Sequence, residues 1–381
     1  MKRLLGILLL LSIGPSTRSQ DTCTLRISLL TCSPGAELYS TFGHTAIRVT
    51  DRRNGTDIVY NYGTFEFEDP DFYLHFTQGK LRYYLSRENY IDFVGEYQAD
   101  GRGVVEQELD LNCLQRDRLQ AALFDNMRTE KKYYKYDFLF DNCTTRARDM
   151  VYNNGPQGMV TRNIVEPGKV TFRDNLHKYL RAGHMDWSEL GIDLLLGSKL
   201  DRPMNNQEAM FLPDYLEKAL DSSSAAPGRF VHSKTTLIER APFAPGSGPG
   251  APLILFWSLL AIYAALAFTG KGKFDRILSI ADTMVFLITG LLGLLFLFMW
   301  FGTEHQTCRN NYNLLWALPT HVVMAFMPVR MPWVRRYFNL AALLALVSVV
   351  MWFTGYPQQP PQVLLPLFLL LAWRNLARSN S

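Results

Sequence analysis

The sequence predicts an α+β domain over residues 21–244, followed by an α-helical membrane domain of about five transmembrane helices over residues 252–381. Three observations carry this. The mean hydropathy of −0.04 averages two unlike halves: residues 21–244 mix polar and apolar positions and are rich in Tyr and Phe, whereas residues 251–375 are mostly apolar. A run of interspersed Gly and Pro, residues 245–251, reads as the linker between them. The apolar half then divides into five stretches, near 252–269, 280–301, 312–327, 338–354 and 361–374.

The N-terminus has three parts. Lys2 and Arg3 supply positive charge, and residues 4–13 form an apolar run too short to span a bilayer. Gly14 and Pro15 break it, and Thr17-Arg18-Ser19 offers a small-x-small cleavage pattern. Residues 1–20 therefore read as a cleavable signal peptide, and the domain behind them as exported. Cys23 lacks the small-residue context of a lipidation site. The exported part is long enough to bury one substantial core and is expected to be one domain.

The loop charges set a topology. With the folded domain outside, the first apolar helix leads inward, and Lys271, Lys273 and Arg276 follow it. Glu304 and His305 then fall outside, Arg330, Arg335 and Arg336 inside, and Arg374 and Arg378 inside. The basic clusters all lie on the inner side, as the positive-inside rule requires. This places the chain in a bacterial inner membrane with its folded domain in the periplasm. Pro319 and Pro366 soften the third and fifth stretches. A net charge of +4, with no basic stripe interleaved with aromatics, excludes nucleic acid as the expected partner.

Two segments carry chemistry. His44 stands at the mouth of a β-prone run that turns at Asn54-Gly55 into a second strand ending at Asn61-Tyr62, a hairpin signature. Further on, Asp141 or Asn142 caps a helix predicted from Cys143 to about Tyr152, stopped by Gly155 and Pro156. A cysteine in the first turn of a helix feels the dipole's positive end and nearby amides, which favour the thiolate. A histidine within reach completes a nucleophile and base, and a third polar group orients the imidazole. Asn61 is the candidate for that third role, with Tyr60 beside it as the alternative. Taken singly, Cys143 and His44 read as a buried thiol and a structural imidazole; cap, hairpin and chain order favour the pair, but what mostly singles it out is the family resemblance described below.

Other signals are weaker. The five cysteines are Cys23, Cys32, Cys113, Cys143 and Cys308, and an odd count leaves at least one unpaired within the chain. Cys23 and Cys32 are near enough in sequence to bridge, which sequence does not decide. No pair has zinc-ligand spacing, and no metal or cofactor is expected. There is no Gly-rich phosphate loop and no serine nucleophile elbow. His177 and His184 read as packing or surface residues. Tyr134, Tyr136, Phe138 and Phe140 alternate like a buried strand. Asp282 lies near the inner end of its apolar stretch, where snorkelling or packing accommodates it. Glu304 and His305 fit either a contact with lipid headgroups or a solvated loop.

Gly43-His44-Thr45-Ala46-Ile47 and Asp141-Asn142-Cys143-Thr144-Thr145, in that order, resemble the permuted branch of the papain-like NlpC/P60 superfamily, which includes lecithin:retinol acyltransferase. Along nearly the whole chain, the run from Glu37 to Val49, the block from Asp137 to Asp149, Leu194-Leu195-Leu196-Gly197, Met210-Phe211-Leu212-Pro213-Asp214 and the loop with His305 and Asn311-Tyr312-Asn313-Leu314-Leu315 resemble the lipoprotein N-acyltransferases of Bacteroidota. The resemblance implies a permuted papain-like fold for the exported domain. It also implies transfer of an acyl chain from a membrane phospholipid, through a Cys143 thioester, to the N-terminal amine of a diacylglyceryl lipoprotein. The rival reading is a membrane-tethered cysteine peptidase or amidase acting on cell-wall peptides. A non-enzymatic lipid or protein receptor is the third, and it would leave His44 and Cys143 free to lie far apart.

Overall fold

The computed structural model describes residues 23–66, 71–225, 228–241, 250–269 and 272–380. The expected signal peptide, residues 1–20, and most of the expected linker, residues 245–251, lie outside these residues.

The N-terminal half is built on one seven-stranded antiparallel sheet. Its strands are β1 (Leu25–Cys32), β2 (His44–Asp51), β3 (Thr56–Thr64), β4 (Arg82–Asn89), β5 (Val104–Leu109), β6 (Tyr133–Lys135) and β9 (Val231–Ile238), in the order β6-β4-β3-β2-β1-β5-β9. A two-residue ribbon, β7 (Ser224–Ala225) with β8 (Gly228–Arg229), stands apart. β2 and β3 form the hairpin expected around Asn54-Gly55, with Gly55 in the left-handed region that turn needs. α1 (Phe72–Gln78) and α2 (Tyr90–Ala99) flank β4. α3 (Cys113–Asn126), the single turn α4 (Thr129–Lys132) and α5 (Cys143–Asn154) follow.

Strand alternation gives the sheet two apolar faces. One carries Ile27, Leu29, Ile47, Val49, Tyr60 and Tyr62 against Leu119 and Leu123 of α3 and Ala147 and Val151 of α5. The other carries Leu30, Ala46 and Val59 against Phe93 of α2. The expected strand through Tyr134–Phe140 is cut short. β6 ends at Lys135, and Asp137 and Asp141 close a turn by exchanging backbone hydrogen bonds of 3.1 and 2.9 Å. That turn is what allows a helix to begin at Cys143.

A helical layer follows: α6 (Phe172–Ala182), α7 (Asp186–Leu195), α8 (Asn206–Ala209) and α9 (Pro213–Ser222). α7 is the junction with the apolar half. Leu190 joins the cluster that contains Phe286, Trp316 and Phe338. Asn311 and Asn313 donate to the carbonyls of Asp193, Leu194 and Leu195 at 2.7–3.2 Å.

Among the described residues, three helices are long and apolar enough to span a bilayer: α10 (Gly250–Thr269), α11 (Asp275–Phe301) and α13 (Pro332–Thr354). α14 (Leu365–Ser379) is shorter. The third apolar stretch departs from the expected helix. It holds a 3₁₀ turn at Tyr312–Leu315 and the single turn α12 (His321–Met324). This segment runs back along α11, where two glycines admit its backbone. A Cβ on Gly293 would lie 2.1 Å from the Ala317 carbonyl oxygen, and one on Gly290 2.5 Å from Val322 N. Asp282 is paired with Arg374 through two bonds of 2.8 Å, so packing is the device that accommodates it.

Cys23 is bridged to Cys113, with Cα atoms 5.4 Å apart, whereas Cys32 is a free, buried thiol. The partner invisible to sequence spacing is supplied by the fold, which brings the start of α3 beside the start of β1. Closing a loop of this length restricts the unfolded chain by about 4–5 kcal/mol in the chain-entropy model. Peptide mapping without reductant should recover the Cys23–Cys113 linked pair, and Cys113→Ala should lower the melting temperature of the full chain by several degrees. Recovery of Cys32 in a bridge would contradict this connectivity.

Candidate active site

The α5 start is fixed by a reciprocal cap. Asn142 Oδ1 accepts from Thr145 N–H at 2.8 Å, and Thr145 Oγ1 accepts from Asn142 N–H at 2.8 Å. Asn142 Nδ2 donates to the carbonyls of Phe138 and Phe211 at 2.8 and 2.9 Å. Every polar group of this buried side chain is thereby used, and Cys143 is held as the first helical residue, partly accessible.

β2 delivers His44 to the same place. Thr45 and Thr144 share a 3.0 Å hydroxyl contact, which locks the strand start to the helix start. The His44 ring and the Cys143 sulfur are near enough for each to shift the other's pKa, and Thr144 Oγ1 lies 3.8 Å from the sulfur. His44 Nε2–H donates to Asn61 Oδ1 at 3.1 Å, which leaves Nδ1 for the thiol. The three sequence-identified residues Cys143, His44 and Asn61 are therefore brought together. Tyr60 is not among them; it lies in the core on the face packed against α5.

Room for the sulfur comes from an irregularity. The β3–β4 register shifts between Asn61 and Thr64, and Gly63 there has φ +88°. A Cβ on Gly63 would sit 3.3 Å from Cys143 Cβ and 3.8 Å from the Tyr136 ring. Tyr136 stacks on Tyr83 with centroids 4.1 Å apart, and Tyr83 lies 5.2 Å from Phe65, forming an aromatic wall beside the sulfur.

Sequence reasoning missed Glu88. Asn61 Nδ2 donates to Glu88 Oε1 at 2.6 Å, which fixes the amide so that Oδ1 faces His44. Glu88 lies on β4, where no local motif marks it; only the β3–β4 register brings it near.

Burial opposes charge on both reacting groups, yet their mutual attraction outweighs it. Burial alone would raise the Cys143 thiol, but the His44 imidazolium and the donors around the sulfur hold its pKa below the ordinary thiol value. Burial alone would lower His44, but the Cys143 thiolate and the Asn61 bond hold it above the ordinary imidazole value. Burial, with Glu96 nearby, raises the Glu88 carboxyl.

His177, Glu189 and Asp193 bring ligand atoms within 4.8 Å of one another, but their charges are already committed. Asp193 accepts from Arg173 at 2.6 Å and from His177 Nε2 at 2.8 Å, and Glu189 accepts from Arg181 at 2.7 Å. The group is a buried ion network that holds α6 to α7, so His177 packs as expected. His184 sits exposed, in the left-handed region, just beyond α6. A pocket of about 340 Å³ between α3 and α5, lined by Asn126, Asp141, Arg146 and Asp149, contains neither Cys143 nor His44.

The loop after α11 is partly exposed and touches the sheet domain at two points. Lys135 pairs with Glu304, and His305 Nε2–H donates to the Phe76 carbonyl at 3.0 Å.

A mixed α/β domain joined to a helical part with three spans long and apolar enough to cross a bilayer defines a membrane protein that carries a folded domain outside the membrane. Two family models match the chain: the Lnb N-terminal periplasmic domain over residues 15–174 and the Lnb transmembrane domain over residues 247–379. The chain belongs to the Lnb family of lipoprotein N-acyltransferases and is a membrane protein with a periplasmic domain. No curated protein and no solved structure matches it.

The ion pair makes a pH prediction. A lowered thiol pKa leaves Cys143 ionised at pH values where an ordinary thiol is protonated, so alkylation by iodoacetamide should rise with pH through a midpoint below the usual thiol range. His44→Ala should move that midpoint upward. An unchanged midpoint in His44→Ala would contradict the pairing.

Proposed function

We propose that this chain transfers a fatty acyl group from a membrane phospholipid, through a Cys143 thioester, to the N-terminal amine of a diacylglyceryl lipoprotein. The observation that carries this is the position of Tyr136. It lies against the Gly63 and Cys143 corner, while its neighbour Lys135 is ion-paired to Glu304, in the loop directly after α11. The reactive corner is thus linked through Tyr136 and Lys135 to the loop that leaves α11, beside the membrane part where both lipid substrates reside. A peptidase working on cell-wall peptides has no need of such proximity.

In the first half-reaction the Cys143 thiolate attacks the ester carbonyl of the phospholipid. A C–S bond forms, the C–O ester bond breaks, and His44 gives its proton to the leaving lysophospholipid oxygen. In the second, the α-amine attacks the thioester. A C–N bond forms, the thiolate leaves, and His44 accepts the proton released by the amine, restoring the ion pair. The amides of Cys143 and Thr144, at the positive end of α5 and ahead of the capped Thr145, are suited to stabilise the oxyanion. Asn61 keeps the imidazole in the required tautomer, and Glu88 keeps Asn61 from flipping.

In this reading residues 1–20 are a signal peptide, residues 21–244 a periplasmic catalytic domain of permuted papain-like type, residues 245–251 a linker, and residues 252–381 a multi-pass domain in the inner membrane. Five passes are supported by α10, α11, the broken segment 312–327, α13 and α14. The broken segment follows α11 from Gly293 to beyond Gly290, and α14 reaches its Ala325 carbonyl through Arg378.

Mass spectrometry of lipoprotein N-termini tests the reaction. Cells carrying the protein should hold N-acylated lipoproteins, and cells carrying Cys143→Ser should hold free amines, since a hydroxyl lacks the thiol's acidity. His44→Ala should reduce the rate by about 10²–10⁴-fold. Full N-acylation with Cys143→Ser would overturn the assignment.

A further inference from the structure

α1 presents Leu74 and Phe76 at 54% and 52% exposure, an unusual surface for a seven-residue helix between two sheet strands. Its end is clamped to the apolar half. Glu304 N–H donates to the Gln78 carbonyl at 2.9 Å, and His305 Nε2–H donates to that of Phe76. Gly79 lies so close that a Cβ there would be 3.1 Å from His305 N.

Glu304 and His305 lie three and four residues beyond the end of α11. At 27 residues that helix is roughly 40 Å long, against about 30 Å for the hydrocarbon core of a bilayer. Its end, where Trp300 and Phe301 stack and Phe301 is exposed, therefore reaches the interfacial zone. The clamp holds α1 at that depth, with the exposed basic residues Lys80 and Arg82 just beyond it. Apolar side chains beside basic ones, at the height where a spanning helix ends, are the composition of an interfacial element.

The same segment frames the aromatic wall. Phe65 precedes α1 and Tyr83 follows it, and the wall they form with Tyr136 ends at Cys143.

We propose that α1 is seated in the outer leaflet through Leu74 and Phe76, and that the phospholipid acyl chain passes from there to Cys143 along Phe65, Tyr83 and Tyr136. The seating follows from the clamp and the exposed side chains; the acyl path rests on the acyl-transfer reading.

Two arms test these parts separately, using the full chain in phospholipid vesicles. In a Cys143→Ala background, where Cys32 and Cys308 are buried, a spin label is placed at Leu74→Cys. A matching label goes at Asn54→Cys, at the opposite end of the β2–β3 hairpin. The label at position 74 should be accessible to oxygen and shielded from a water-soluble nickel chelate, and the label at position 54 the reverse. Equal exposure of both to the chelate would overturn the seating.

The second arm uses Leu74→Ser with Phe76→Ser. Acylation of Cys143 from vesicle phospholipid should slow by roughly tenfold, the effect of losing about 1.4 kcal/mol of apolar burial, while acylation by a monomeric short-chain ester should be unchanged. Equal loss with both donors, or no loss with either, would overturn the path. If neither donor acylates the wild-type Cys143, the acyl-transfer reading itself fails, and the label at position 74 still decides the seating.

Discussion

The side chain of Asn142 is the constraint on which the site depends. One amide caps α5, holds the Phe138 turn and reaches the Phe211 carbonyl just ahead of α9. Each of those partners is a backbone group that would otherwise be buried and unpaired. The cap fixes where the helix begins, and the beginning of the helix fixes where the sulfur sits. β2 must then start at His44 for the imidazole to meet it, and the Thr45–Thr144 contact enforces that register. A thiolate and an imidazolium held this way stabilise each other in a setting where either alone would be costly.

The second dependency runs between the two halves. Arg173 is almost fully buried and bridges Asp193 and Asp201, while Asp193 also receives His177. This network sets the C-terminal end of α7, whose last carbonyls are then met by Asn311 and Asn313. Gly197 continues the contact, its N–H donating to the Thr307 carbonyl at 2.9 Å. A buried charge network is a poor source of net stability but a good source of register. Here it fixes the register between the periplasmic helices and the loop that leaves α11. The Lys135–Glu304 and His305–Phe76 contacts complete the same interface from the sheet side.

What was legible in the sequence was local. Helix caps and tight turns are written in neighbouring residues, so the Asn142-Cys143 cap and the Asn54-Gly55 hairpin are legible, while the pairing of Cys143 with His44 rests mostly on the family resemblance and Asn61 stands beside Tyr60 as the third candidate. Glu88 was not legible, because it reaches Asn61 only through the strand register. Cys113 was missed as the partner of Cys23 for the same reason: 90 residues separate them, and only the packing of α3 across β1 brings them together. The alternation from Tyr134 to Phe140 was misleading. Only Tyr134 is buried on a strand; Phe138 and Phe140 pack around the turn and against the helical layer. The third apolar stretch was read by composition alone, and composition does not record that Gly290 and Gly293 let an irregular backbone lie against α11.

Acyl transfer by this route requires Cys143 to carry the acyl group between donor and acceptor. Intact-mass and peptide-mass analysis of the full chain, incubated with phospholipid vesicles and no amine acceptor, tests this most directly. One added acyl mass is expected on the peptide that contains Cys143, released by neutral hydroxylamine as a thioester should be. An acyl group mapping to another residue, or acyl transfer proceeding in Cys143→Ala, would contradict it.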